Sequence, residues 1–300
     1  MRAEADSSPF AIIDVGSNSI RLVVYRSLSR APLQLFNEKS SCGLARGLAK
    51  TGRLNPEGID CALSSLDRFC RIARGFGAQA IDIVATAAAR RAENGPKFVE
   101  RARKITGLPI NLLSGDDEAN FTAAGVALSF FAPKGVVGDL GGGSLELAPI
   151  DRRGVKGDVF SLDLGSLTLA EALAEEPDEV DALIDTAFAP AAALKGAAKG
   201  ADFFVVGGAW RALARIRLAM TGAPMRMVHG YCLTPDQAKT VGRAFDGLSI
   251  EEIANLPGTP SSRAAVVPAA ARLLDRTVGL LEPNRIVFSA FGLREGRLFS

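Results

Sequence analysis

The sequence predicts an α/β protein built from two related domains, because one short pattern occurs twice along the chain. Residues 13–22 read IDVGSNSIRL and residues 138–147 read GDLGGGSLEL, so an Asp, a Gly and a Ser recur at equivalent places. Each copy follows a β-branched, apolar run and precedes another alternating run, which is typical of strand, tight turn and strand. The elements after each copy recur in a similar order, which favours duplication over chance.

The first half is predicted to open with a three-stranded meander and to continue with alternating helices and strands. The predicted strands are Phe10–Asp14, Ile20–Arg26, Leu33–Glu38, Ile81–Ala85 and Pro109–Leu113, with a turn at Arg30-Ala31-Pro32. Asn55 followed by Pro56 is typical of a helix N-cap, and apolar residues recur at helical spacing after it. Further helices are predicted over Pro96–Thr106 and from Ser114 to about Phe131.

The second half is predicted to repeat this order with insertions. Its predicted strands are Gly135–Asp139, Leu145–Ile150, Val155–Leu162, Phe203–Val206 and Arg285–Ser289. Its predicted helical segments are Leu167–Leu194, Ala209–Met220, Pro235–Ala244, Ile250–Ala254 and Ser262–Thr277, with a last turn after Gly292. No low-complexity linker separates the halves, so we place the domains at residues 1–131 and 132–300, with the boundary at the end of the helix near Phe131.

Composition narrows the class of protein. Nearly half of the residues are hydrophobic and 23% are charged, as in globular proteins. A formal net charge of +2 disfavours generic binding of nucleic acid. The longest uncharged stretch, residues 119–133, is too short to span a bilayer, and the first ten residues lack an apolar signal segment. The cysteines show no C-x-x-C spacing, which argues against zinc. A cytoplasmic protein with no nucleic-acid or membrane partner is expected.

The two glycine-containing turns are the first candidates for a binding site. Small residues let backbone N–H groups approach an anion, and hydroxyl and amide side chains add donors to phosphate oxygens. The predicted phosphate-binding residues are Ser17, Asn18 and Ser19 in the first turn and Gly141, Gly142, Gly143 and Ser144 in the second. One such turn alone would also fit a hairpin or bulge. Neither is a Walker A or dinucleotide motif, because no G-K-[ST] follows and a strand comes next.

Carboxylates beside the turns predict a cation that bridges to phosphate, because a bare carboxylate would repel the anion. Asp14 and Asp139 each end the strand before a turn, and Glu146 lies on the strand after the second turn. Asp139 and Glu146 could share one Mg²⁺; the alternative is that Glu146 is the polar side of an alternating strand. Arg21 holds the equivalent place in the first copy, where it would reach a phosphate or lie on a solvated face.

Acids at a helix start and arginines after a strand are further candidates. The acids at 116–118 would serve as helix caps, or Glu118 would deprotonate a water that attacks phosphorus. Arg90 and Arg91 would neutralise phosphoryl charge, or form a surface pair. Gly207-Gly208, between a strand and a helix, resembles a phosphate-adjacent turn but is weak evidence by itself.

Taken together, these residues resemble the exopolyphosphatase / guanosine pentaphosphate phosphohydrolase (Ppx/GppA) family, within the actin-like, sugar kinase and Hsp70 ATPase superfamily. The matching stretches follow the family's order over nearly the whole chain: IDVGSNSIRL from Ile13, ATAAAR from Ala85, LSGDDEA from Leu113, VGDLGGGSLEL from Val137, VGG from Val206 and GLREG from Gly292. The combination of D-x-G-S-N-S, S-G-x-x-E-A and D-x-G-G-G-S-x-E is highly specific.

The resemblance implies two RNase H-like (actin-like ATPase) domains, each a mixed five-stranded sheet with helices, facing across a central cleft. It also implies removal of a terminal phosphate with Mg²⁺, for which Mn²⁺ is an alternative. By resemblance, Glu118 is the general base and Arg90 the motif arginine. The remaining implied roles are phosphate loops at Ser17–Ser19 and Gly141–Ser144, metal-side acids at Asp139 and Glu146, and cations near phosphate at Arg21 and Arg263.

The chain departs from the family pattern in three places. Ala209 stands where relatives often carry a hydroxyl, and Asp117 is shorter than the usual acid before the base. The chain also ends soon after Gly-Leu-Arg-Glu-Gly, without the C-terminal helical extension of longer members. We therefore expect lower processivity on long polyphosphate, or a preference for shorter chains.

The first choice of function is an exopolyphosphatase, a phosphoanhydride hydrolase that releases orthophosphate from polyphosphate. The turns address only phosphate, and a chain with one Trp and two Tyr shows no evident nucleoside-sized aromatic pocket. Guanosine pentaphosphate (pppGpp), with ppGpp as its product, is the alternative substrate, since backbone contacts can hold guanine. A kinase, or a non-catalytic sensor of alarmone or polyphosphate, is a further alternative, against which the motif set and the intact acids argue. A homodimer is compatible with each of these.

Overall fold

A computed structural model describes residues 8–28 and 32–299. The contacts between residues divide the chain into two compact units, with the division between Glu118 and Ala119. This division lies inside a helix, whereas the domain boundary after residue 131, at the end of that helix, stays a prediction. No helix in the described part of the chain has both the length and the apolar composition needed to cross a bilayer.

The first unit contains a five-stranded mixed sheet in the order β3-β2-β1-β4-β5. Its strands are β1 (Phe10–Val15), β2 (Ser19–Tyr25), β3 (Gln34–Ser41), β4 (Ala80–Ala85) and β5 (Asn111–Leu112). β1 pairs antiparallel with β2 and parallel with β4, which puts it at the centre of the sheet. The predicted meander and both later strands are thereby confirmed. The predicted turn at Arg30 and Ala31 lies outside the described residues.

The helices of the first unit cover this sheet. They are α1 (Leu48–Thr51), α2 (Pro56–Gly75), α3 (Ala87–Arg91), α4 (Gly95–Thr106) and the start of α5 (Gly115–Ser129). α2 begins with Asn55 as N-cap and Pro56 at the first position, but the Asn55 side chain makes no capping bond. Its amide instead donates to the Gly43 carbonyl at 3.5 Å. α1 and α3, which are four and five residues long, were not predicted.

The second unit contains seven strands, so the predicted five-stranded sheet is wrong for this half. The strands are β6 (Gly135–Leu140), β7 (Leu145–Asp151), β8 (Gly154–Val155), β9 (Phe160–Leu162), β10 (Asp202–Val206), β11 (Cys232–Leu233) and β12 (Arg285–Phe288). The predicted strand 155–162 is two short strands that both pair with β7, because Gly157 adopts a φ of 106° between them. β11 pairs antiparallel with β12 at the edge of the sheet. It was not predicted, because two residues are too few to show an alternating pattern.

Most helices of the second unit pack against α12. They are α6 (Ser166–Glu175), α7 (Val180–Phe188), α8 (Lys195–Ala198), α9 (Gly208–Met220), α10 (Pro235–Arg243), α11 (Ile250–Asn255), α12 (Val267–Leu281) and α13 (Leu293–Arg297), with 3₁₀ turns at Ala189–Leu194 and Ser261–Val266. Trp210 on α9 is fully buried and donates to the Ala270 carbonyl of α12 at 3.0 Å. The main core of this unit therefore lies around α9 and α12.

Charged pairs fasten α7 to α12 at two successive turns. Arg272 donates to both carboxylate oxygens of Asp181, at 2.7 and 3.1 Å. One turn further along both helices, Arg276 makes the same two-pronged contact with Asp185. Each arginine therefore fixes one turn of α12 to one turn of α7.

The duplication predicted from the sequence is visible in the sheet topology. β6 pairs antiparallel with β7 and parallel with β10, as β1 does with β2 and β4. In the antiparallel registers, Asp14 lies opposite Arg21 and Asp139 lies opposite Glu146. The aligned sequence copies therefore occupy the same place in each sheet, at the turn that joins its first two strands.

Glycines allow α5 to pack against the GLREG segment. A Cβ built at Gly125 would lie 2.1 Å from the Gly292 carbonyl oxygen, and one at Gly296 would lie 1.7 Å from the Phe121 carbonyl oxygen. The Glu295 carboxylate is buried and accepts from the Gly292 N–H at 3.0 Å, which fixes the start of α13. This family motif therefore has a packing role.

We predict that Gly125→Ala destabilises the protein, because the added methyl meets backbone that cannot move aside. The free energy of unfolding should fall by about 1–3 kcal/mol. The matched control is Gly279→Ala in α12, where a Cβ would meet nothing within 4 Å; it should be neutral or stabilising by up to about 1 kcal/mol. Urea denaturation followed by circular dichroism measures both. Equal stability of the two variants would contradict the packing argument.

Candidate functional site

Each of the two turns is closed by the same backbone hydrogen bond. Gly16 N–H donates to the Ser19 carbonyl at 3.1 Å, and Gly141 N–H donates to the Ser144 carbonyl at 2.9 Å. A Cβ at Gly16 or Gly141 would lie 3.2 or 3.3 Å from that same carbonyl oxygen. Glycine at this position therefore lets the chain reverse tightly, and the two aligned copies adopt one structure.

The carbonyls at the tip of the first turn are bound by the segment after β3. Cys42 and Gly43 donate their N–H groups to the Asn18 carbonyl at 3.1 and 2.9 Å, and Ala45 donates to the Ser17 carbonyl at 2.8 Å. Within residues 8–28 and 32–299, the N–H groups of Ser17 and Asn18 have no acceptor. The turn thus has its acceptors satisfied and its donors available, which is what an anion site requires.

The second turn is bound in the same way by the start of α6. Ser166 donates both its N–H and its hydroxyl to the Gly141 carbonyl at 3.0 Å, and Leu167 N–H donates to the Gly142 carbonyl at 2.9 Å. The N–H of Gly142 has no acceptor among the described residues. Ser144, predicted as a phosphate donor, is 3% exposed and lies at the base of the turn.

The carboxylates beside the second turn form a close pair. Asp139 and Glu146 are directly opposite on β6 and β7, so their side chains leave the same face of the sheet. The Thr122 hydroxyl donates to Asp139 at 2.8 Å, and the Ser161 hydroxyl donates to Glu146 at 3.0 Å. Glu146 is only 3% exposed, so it does not lie on a solvated face of the strand. Two adjacent acids, one of them buried, favour a bound cation.

A magnesium ion fits this pair. Mg²⁺ takes one or two carboxylates and completes its shell with water and phosphate oxygens. In the described ranges, no three His, Cys, Asp or Glu side chains group as a metal site, which leaves a two-carboxylate site as the candidate. The same position of the first unit differs, because Asp14 lies opposite the cation Arg21, whose Nε donates to Asn37 at 2.8 Å. Asp14 as a metal ligand stays a prediction.

Glu118 is held by Arg90 in the first unit. The Arg90 guanidinium donates to the Glu118 carboxylate at 2.5 Å and to the Leu113 carbonyl at 2.5 Å. The Glu118 side chain is 8% exposed and that of Arg90 25%. Arg91, the other arginine at the end of α3, is exposed. Of the two predicted arginines, Arg90 is the one that holds the predicted base.

The helix cap at the start of α5 is made by other residues. Ser114 donates its N–H and hydroxyl to the Asp117 carboxylate at 3.0 and 2.7 Å, and Asp117 N–H donates back to the Ser114 hydroxyl at 3.1 Å. This reciprocal arrangement is a capping box. Because Asp117 takes the capping role, Glu118 is available for another one.

Gly208 and Arg263 are brought together in the second unit. A Cβ at Gly208 would lie 2.6 Å from a guanidinium nitrogen of Arg263, so the guanidinium lies against the first residue of α9. Burial lowers the pKa of Arg263, and the nearby Arg215 lowers that pKa further. In the described part of the chain, Arg263 has no carboxylate partner. A cation at a helix N-terminus is unfavourable, so an anion bound there would relieve the repulsion.

Several residues at the site were not found from the sequence. Thr122, Ser161 and Ser166 place single hydroxyls on the carboxylates or on the turn, and single hydroxyls carry no sequence signal. Arg46 folds back so that its guanidinium lies 3.2 Å from the place of a Gly43 Cβ, in the segment that binds the first turn. The only hint in the sequence was that Arg46 lies in a loop between two glycines.

The model of the Ppx/GppA phosphatase family matches residues 23–300. The chain belongs to this family. It is therefore a phosphoanhydride hydrolase, and the family resemblance stated from the sequence is confirmed.

Two solved structures place the fold. An exopolyphosphatase from Cytophaga hutchinsonii ATCC 33406 is 22% identical, with a TM-score of 0.87 over 97% of this chain and 96% of that one. The Ppx/GppA family member from Aquifex aeolicus is 26% identical, with a TM-score of 0.80 over 97% of this chain and 96% of that one. The two-sheet, actin-like α/β fold is thus confirmed.

We predict that Asp139→Asn lowers Mn²⁺ affinity at least about tenfold, because one of two adjacent carboxylates is lost. The equivalent change in the first copy, Asp14→Asn, should lower it less, since Arg21 already lies opposite Asp14. Titration followed by electron paramagnetic resonance of free Mn²⁺ measures binding without turnover. Equal losses in the two variants would instead support a metal set that includes Asp14.

Proposed function

We propose that the protein is an exopolyphosphatase that releases orthophosphate from the end of inorganic polyphosphate in a Mg²⁺-dependent reaction. The observation that carries the proposal is the repeated turn, whose carbonyls are bound by protein while N–H groups at its tip have no described acceptor. Such a turn recognises phosphate oxygens and no other part of a substrate. A chain of identical phosphates suits two copies of it.

In the proposed mechanism Glu118 is the general base. Its carboxylate takes a proton from water, and the water oxygen attacks the terminal phosphorus as the bond to the bridging oxygen breaks. Arg90 fixes the carboxylate, and because it is tethered to the Leu113 carbonyl it keeps that orientation during turnover. Bound at Asp139 and Glu146, Mg²⁺ would supply positive charge to the phosphate oxygens.

Other residues would stabilise the departing chain. The N–H groups of Ser17, Asn18 and Gly142 would donate to phosphate oxygens, and such preorganised donors act without reorganisation. Arg21 and Arg263 would add positive charge. An anion at Arg263 would offset the burial of its charge and the repulsion from Arg215, which together lower its pKa. Mn²⁺ as an alternative ion and a homodimer stay predictions.

Hydrolysis of pppGpp is the second candidate, and an aromatic cluster favours it. The His229 ring lies 4.7 Å from the Phe130 ring and 5.6 Å from the Phe291 ring, with the latter pair stacked. Phe291 precedes Gly292, where a Cβ would lie 3.9 Å from the Asp139 carboxylate. Nucleobases stack on such rings. The cluster is already packed on itself, which is why polyphosphate remains our first choice.

We predict that Glu118→Gln lowers turnover on polyphosphate at least about 100-fold, because the amide cannot accept the proton. Glutamine retains the size of Glu118 and an oxygen that can accept from Arg90. The control is Asp116→Asn, an exposed acid in the same helical turn, which should stay within about twofold. Phosphate release measures both. Little change in Glu118→Gln would remove Glu118 from the role of base.

We predict a higher kcat/KM for polyphosphate than for pppGpp, and no effect of Phe291→Leu on polyphosphate. If pppGpp is bound by stacking, the same variant should lower its kcat/KM about tenfold. Phe131→Leu is the matched control, because Phe131 is fully exposed and lies outside the cluster. A kcat/KM that is higher for pppGpp, and that depends on Phe291, would replace our first choice with the second.

A further inference from the structure

Two thiols and two hydroxyls form a cluster in the first unit. The Ser40 hydroxyl lies 3.6 Å from the Cys42 sulfur and 3.9 Å from the Cys61 sulfur. The Ser65 hydroxyl donates to the Ser40 hydroxyl at 2.8 Å and lies 3.8 Å from the Cys42 sulfur. Both sulfurs therefore contact one oxygen, although they are far apart along the chain. No step of the proposed hydrolysis uses this cluster.

The backbone around the cluster is packed closely enough for the sulfurs to meet. A Cβ at Gly58 of α2 would lie 2.9 Å from the Leu44 Cα and 3.1 Å from the Cys42 carbonyl oxygen. Cys61 follows Gly58 by three residues, so it lies on the same face of α2. A disulfide requires Cα atoms about 4.4–6.8 Å apart, and close packing of α2 on this segment without an intervening side chain favours such a separation.

We propose that Cys42 and Cys61 are a modification site that closes to a disulfide under mild oxidation. Cys61 is partly exposed and is the sulfur that an oxidant reaches first, whereas Cys42 is 8% exposed. Burial raises the pKa of the Cys42 thiol, which disfavours Cys42 as the first thiol to react. Cys42 is thus the resolving thiol and Cys61 the reacting one.

The chemistry balances with a peroxide as the oxidant. The Cys61 thiolate attacks one peroxide oxygen, the O–O bond breaks, and a sulfenic acid forms on Cys61. The other oxygen leaves as hydroxide, which takes up the proton released when the Cys61 thiol ionised and becomes water. The Cys42 sulfur then attacks the Cys61 sulfur, the S–S bond forms, and the hydroxyl group leaves with the Cys42 proton as a second water. Two thiols supply two electrons to one peroxide.

The cross-link would act on the first turn through the backbone. Cys42 and Gly43 are the residues whose N–H groups bind the Asn18 carbonyl. A disulfide would tie this segment to α2 and so restrain the support of the turn. The inference concerns thiol chemistry and stands independently of the substrate.

The remaining cysteines provide internal controls. Cys70 is fully buried and Cys232 is exposed, and each is a free thiol. The experiment treats the whole protein with equimolar hydrogen peroxide, blocks free thiols with iodoacetamide, and maps the peptides by mass spectrometry without reduction. The expected product is a cross-linked peptide pair containing Cys42 and Cys61, with Cys70 and Cys232 alkylated. Dithiothreitol should reverse it.

Two variants and one physical measurement sharpen the test. Cys61→Ser and Cys42→Ser should each prevent cross-linking, and Cys70→Ser should leave it intact. Oxidation should raise the unfolding midpoint of the wild type by about 5 °C, and not that of Cys61→Ser. Recovery of all four alkylated cysteines from oxidised wild type would overturn the proposal, as would a disulfide that joins Cys232 of two chains in its place.

Discussion

The hydrogen bond from a glycine N–H to the carbonyl of a serine three residues later is the constraint on which both turns depend. It reverses the chain between the central strand and its neighbour, and it aims the tip residues away from the sheet. In each unit a second segment donates hydrogen bonds to the carbonyls of the turn. This segment is Cys42–Ala45 in the first unit and Ser166–Leu167 in the second. The remaining N–H donors give each turn a positive character without any charged side chain.

Duplication preserved the backbone and changed the charges on it. In the first unit an acid faces an arginine across the strand pair; in the second an acid faces another acid. The first pair combines opposite charges, whereas the second pair combines like charges and suits the proposed Mg²⁺. Glu118, the proposed general base, belongs to the first unit and is held by Arg90. The two turns therefore differ in the charge beside them, because the equivalent strand position holds Arg21 in one unit and Glu146 in the other.

The repeated turns and their flanking strands could be predicted from the sequence, whereas the shortest strands and the single hydroxyls could not. The aligned turns and the flanking strands were visible because the spacing of Asp, Gly and Ser recurs, and the pairing of Asp139 with Glu146 follows from it. The strands β8, β9 and β11 were missed or merged, because two or three residues produce no alternation. The hydroxyls of Thr122 and Ser161 were missed because their roles arise only from tertiary placement.

The paired arginines of α12 have a consequence for motion. Each ion pair is about one-third exposed and contributes little alone. Together they set a register, because the two arginines and the two aspartates are each spaced by one helical turn, so that Arg272 pairs with Asp181 and Arg276 with Asp185. A slip of one turn, about 5.4 Å, would leave one arginine and one aspartate unmatched. The two ion pairs therefore fix the register of α7 along α12 and oppose axial sliding of one helix on the other.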